Sequence, residues 1–129
     1  MQAKTAAKLN AEWSNEKVKV IHVNEYYDEH NGQIPFAKSL GFKEADIEAH
    51  GGIADTSEML FAYKQGVRER LIGDYKPSDM EKIGVDGSAI GSNSGYGEKF
   101  LELKIASAVK QIKQEQEKFY SPVLQKIVP

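Results

Sequence analysis

Three imidazoles are the first groups in this chain that could move protons or hold a metal: His22, His30 and His50. None belongs to a His-Glu-x-x-His motif, and no two fall at i, i+4 on one helix, so the histidines do not form a metal site by spacing. With no cysteine in the chain, a thiolate site and a disulfide framework are excluded. His22 lies inside an apolar run and reads as a sheet-face histidine with its hydrogen bond satisfied. Tyr26-Tyr27-Asp28-Glu29-His30 sets carboxylates beside an imidazole and aromatics that could wall a flat ligand, or is a solvated loop whose tyrosines pack down. His50-Gly51-Gly52 is the most site-like feature. Two glycines let the backbone take positive φ and approach a ligand closely. Asp55-Thr56-Ser57 then opens a helix whose first turn offers free N–H groups. An imidazole before such a helix end can exchange protons near neutral pH, although the same spacing suits an ordinary turn.

Two further stretches carry weaker signals. The glycine- and serine-rich residues 87–97 precede a helix, as an anion nest does, but lack Gly-Lys-Ser/Thr and the Gly-x-Gly-x-x-Gly spacing. They read as a connector or functional loop rather than a nucleotide site. The charge-rich residues 111–118 read as a solvated helix face.

The elements that must position these residues follow from periodicity. Ala6, Leu9 and Trp13 share one face of a helix over residues 3–13, which starts almost at Met1 without a Ser, Thr, Asp or Asn cap and so suggests a preceding segment. Residues 18–24 are β-branched and apolar, as a central parallel strand would be. Pro35 opens a short helix over residues 36–40 that Gly41 stops, and residues 43–49 make another turn of helix. Met59, Leu60, Tyr63 and Val67 stripe a helix beginning at residues 55–57. Residues 67–83 are irregular. Leu101, Ile105, Ala108 and Ile112 stripe a last helix over residues 97–119, facing a sheet. Helix, turn and apolar strand in succession give an α/β layered class with further strands near Ile53 or Ile90; the alternative is a mostly helical domain with one hairpin.

A length of 129 residues suits one domain, residues 1–129. The hydrophobic fraction of 40% supports a core. Seventeen basic against 19 acidic residues leave a net charge of -2, too balanced for a partner rich in phosphate. No apolar run reaches the length of a signal h-region or a membrane span, so a cytoplasmic chain with no membrane or nucleic-acid partner is expected.

Taken in order, these motifs resemble the creatininase (creatinine amidohydrolase) family. The resemblance rests on His50, Gly51, Gly52, Asp55, Thr56, Ser57, Met59 and Leu60, on Tyr26-Tyr27-Asp28 after the apolar run, and on the glycine-flanked residues 87–97 before the helix of residues 98–113. It implies a partial three-layer α/β/α creatininase-like fold with a parallel sheet. It also implies hydrolysis of a C–N bond in a small linear or cyclic amide, with a divalent metal pair, zinc or manganese, activating water. His50 then matches the family's catalytic histidine, a proton shuttle. Tyr27 matches an aromatic flanking the substrate, and Gly51, Gly52 and Asp55 would line it. Oligomers are implied. The family's metal ligands lie in an N-terminal half that has no counterpart here. Ala49, Asp46 and Glu58 depart from its pattern. The expectation is therefore the C-terminal portion of an amidohydrolase, inactive alone and partnered by copies of itself or by a complementing N-terminal segment. The alternative is a non-catalytic ligand-binding or assembly module.

Overall fold

A computed structural model describes residues 1–28, 31–47 and 50–124, with the side chains of residues 77 and 121–124 left aside. Six α-helices carry the described chain: α1 (Gln2–Glu12), α2 (Gln33–Ser39), α3 (Glu44–Ile47), α4 (Ile53–Ala62), α5 (Met80–Ile83) and α6 (Ser94–Leu124). Short 3-10 turns at Lys64–Gly66, Glu69–Leu71 and Pro77–Asp79 fill the stretch after α4. The sheet consists of β1 (Asp74–Tyr75) and β2 (Gly87–Ser88), antiparallel, with Asp74 opposite Ser88 and Tyr75 opposite Gly87.

The parallel-sheet α/β/α architecture expected from the sequence is therefore corrected: the described fold is mostly helical, with one two-stranded antiparallel ladder. A sheet needs neighbouring strands to take up backbone N–H and C=O groups, and residues 18–24 have none among the described residues. Two side-chain amides stand in. Asn10 of α1 accepts from Val20 N at 2.8 Å and donates to Val20 O at 2.8 Å. Gln111 of α6 donates to His22 O at 3.0 Å and accepts from Glu25 N at 3.0 Å. Nor does a strand form at Ile53, which is the first residue of α4; the second strand lies at Gly87–Ser88, just before Ile90.

The core sits where α4 crosses the first half of α6. Ala37, Ile47, Ile53, Ala54 and Phe100 form it, with Ile34, Phe36, Phe42 and Tyr96 packed around them. Phe100 meets Phe36 edge-on at 5.4 Å between ring centroids, and Tyr96 meets Phe36 at 6.3 Å and Phe42 at 6.0 Å, separations at which edge-to-face rings attract. The crossing is close because residue 97 is glycine: a Cβ there would lie 1.9 Å from Ser57 O. Asn93 caps α6, its Oδ1 accepting from Tyr96 N at 3.0 Å, while its own N–H donates to the fully buried Ser57 Oγ at 3.3 Å. Beside the core, Lys104 and Glu58 pair at 2.8 Å with both side chains mostly covered, and Gln33 donates to the same carboxylate at 2.6 Å. That third contact lowers the cost of keeping the charges from water.

The phase of α6 differs from the one expected. Phe100 points into the core, whereas Ile105 is half exposed. The helix turns toward α4, its principal neighbour, rather than toward a sheet. On α4 the inward stripe is Ile53, Ala54, Ser57 and Leu60, with Met59 and Tyr63 exposed.

Candidate functional site

The turn before α4 is built by hydrogen bonds from three sides. His50 N donates to Asp86 Oδ1 at 2.8 Å, and Asp86 N returns a bond to His50 O at 2.9 Å. Gly51 N donates to Asp55 Oδ2 at 3.0 Å, and Thr56 Oγ1 donates to Gly51 O at 2.8 Å. Gly51 has φ of +70°, and a Cβ there would come within 2.8 Å of Val85 Cγ1, so only glycine fits without strain. The N-cap of α4 is Gly52, not a residue of 55–57. Asp55, in the first turn, instead reaches back to the residue before the cap, as the acidic member of a capping box does one residue later in the chain.

A cleft of about 490 Å³ opens on this turn. Gly51, Asp55 and Thr56 form one side, and Met59, Val67, Leu71, Ile72 and Val85 supply apolar wall. Arg68 and Tyr75 are its remaining polar groups. The Tyr75 hydroxyl donates to Leu71 O, whereas the Arg68 guanidinium has no partner among the described residues. Arg68 is one of only two arginines in the chain. Its rigid fork of donors suits a carbonyl or carboxylate. Nothing in the sequence flagged Arg68 or Tyr75, because the residues between Gly66 and Ile83 follow no helical or strand period. The scarcity of arginine was the available signal.

The expected site residues divide into two places. His50, Gly51, Gly52 and Asp55 are contiguous at the α4 turn. Gly51 and Asp55 line the cleft, whereas Gly52, which is buried, and His50, which is exposed, do not. Tyr27 is 77% exposed and stacks edge-on against Tyr26 at 4.8 Å; it does not line this cleft. Tyr26 is held in turn by Lys104, whose Nζ lies 5.4 Å from the ring centroid. His22 is half-buried in residues 18–24. Glu29, His30, Glu48 and Ala49 lie outside the described residues. Residues 87–97 hold β2 and the start of α6, and the Ser88 N–H donates to Asp46 at 3.1 Å. No helix among the described residues is long and apolar enough to cross a membrane.

No protein-family model, no curated protein and no solved structure matches this chain. Among the described residues no three of His, Cys, Asp or Glu converge as a metal-binding group.

Proposed function

We propose that this chain is the histidine-bearing, substrate-binding portion of a creatininase-like amidohydrolase, binding a small linear or cyclic amide without turning it over alone. The observation that carries the reading is the α4 turn: His50 is held by its backbone and exposed, and the next residue opens onto a cleft whose Arg68 guanidinium has no partner among the described residues. A carbonyl oxygen would be taken by Arg68 and the ring carbons by Val67, Leu71 and Val85. His50, at the rim, would exchange a proton with the amide nitrogen or with water. Zinc or manganese would have to be held by ligands from outside the described residues.

The test is a titration of the full chain with hydantoin, a small cyclic amide, followed by amide NMR. Shifts should concentrate at Gly51, Thr56 and Arg68. Arg68→Met should weaken binding about tenfold, the scale of one hydrogen bond to a charged group, and His50→Ala should leave it nearly unchanged. Shifts elsewhere, or none, refute the binding site. Hydrolysis of hydantoin by the purified chain with added zinc or manganese refutes its inactivity alone. If binding is found but no complementing segment restores turnover, a non-catalytic ligand-binding module is the better description.

A further inference from the structure

Arg68 is the one cation among the residues that line the cleft at the α4 turn. It has no counter-ion among the described residues. Asp55 is the single carboxylate on the same walls, and its Oδ2 accepts instead from Gly51 N at 3.0 Å. Glu69, next to Arg68 in the chain, pairs with Lys64 at 3.4 Å. Asp86, next to the lining Val85, accepts from His50 N at 2.8 Å. The contrast is Lys104, a cation beside the core, which is matched by Glu58 at 2.8 Å.

A guanidinium offers five N–H donors and no acceptor. One carbonyl oxygen, with two lone pairs, leaves most of those donors unused and the positive charge uncompensated. A ligand seated against Val67, Leu71 and Val85 also displaces water that solvates this charge, and a neutral ligand puts nothing equivalent in its place. A carboxylate does, through two parallel N–H···O bonds. Building on the amide reading of the cleft, we propose that its ligand is a monoanion: a small linear or cyclic amide that carries a free carboxylate on a short arm. Arg68 holds the carboxylate, with donors to spare for the amide carbonyl, and so sets the specificity of the site. The charge count excludes a second negative charge, because Asp55 lines the same walls and repels a dianion such as phosphate. The volume of about 490 Å³ accommodates one small ring with its arm.

Hydantoin-5-acetic acid, ionised at neutral pH, supplies ring, arm and charge, and its carboxamide has the same shape without the charge. Calorimetric titration of the full chain with each, beside hydantoin followed by amide NMR, tests the proposal. The acid should bind about tenfold more tightly than its carboxamide, the scale of exchanging a neutral hydrogen bond for a charge-assisted pair. Arg68→Met should bring the two affinities level. Arg68→Lys should keep part of the preference, since the charge persists without the fork. Added salt should weaken the acid more than the carboxamide. Hydantoin shifting Gly51 and Thr56 while the acid gains nothing over its carboxamide overturns this proposal and leaves the amide reading standing. No binding by hydantoin, acid or carboxamide overturns both. Cyclopentylacetate, the same arm on a ring without an amide, binding as tightly as the acid overturns the proposal by assigning the cleft to a plain carboxylate. Displacement of the acid by inorganic phosphate overturns it likewise, as does an acid preference that survives Arg68→Met.

Discussion

The α4–α6 crossing and the α1 layer are made of similar residues yet reach opposite ends. At the crossing, Phe100, Ile53 and Ser57 lose all contact with solvent, and each nearby polar group has a partner. In the α1 layer no residue of the helix is buried, and in the most β-like run of the sequence Lys19, Ile21 and Val23 have no backbone partner among the described residues. Apolar composition alone does not make a core. Burial requires a second surface of matching shape, and Gly97 supplies the close approach at the crossing that nothing supplies behind residues 18–24.

This contrast can be broken most forcefully at its centre. Phe100→Ala should cost about 4 kcal/mol of unfolding free energy, since it removes a fully enclosed ring whose space Phe36 and the surrounding core cannot fill; urea denaturation measures it. Gly97→Ala comes next, at about 3 kcal/mol, because the new methyl group must push the Ser57 carbonyl and the two helices apart. A drop below about 0.5 kcal/mol in either variant would mean that the crossing is looser than its geometry. In the α1 layer, Leu9→Ala should cost under about 1 kcal/mol, because the side chain is only partly covered.

The smallest effect concerns charge. The Lys118 side chain, donating a hydrogen bond at 2.7 Å and adding its positive charge, holds Glu115 below the usual carboxylate range. Its folded value lies below its unfolded one. Any stabilisation from this group is therefore present above the unfolded value and fades as pH falls through the folded one. A carbon-detected NMR titration should show the lowered midpoint, and Lys118→Met should bring it back up.

The helices were largely legible in the sequence. The α1 stripe, the brief helices around Pro35 and residue 44, and the long last helix all follow apolar spacing and glycine stops. The fold class was not. Residues 18–24 carry every local sign of a strand, but a strand is a pairing, and pairing is a property of two segments. The phase of α6 was misjudged because Leu101, Ile105, Ala108 and Ile112 form a regular stripe, while Phe100 and the glycine at 97, one position off, determine which side fits α4. At the site, His50 through Asp55 were found together because glycine chemistry and helix starts are local signals. Arg68 and Tyr75 join them only through the path of an irregular stretch, which no periodicity reports. Tyr27 belonged to the expected site by its order in the chain, and its position against Tyr26 gives it another neighbour.

Asn10 also forbids something. By clasping both polar groups of Val20, one carboxamide occupies the side on which a further chain would have to add. A side chain two turns into the first helix thus blunts one edge of this bare β-prone stretch against pairing with another chain.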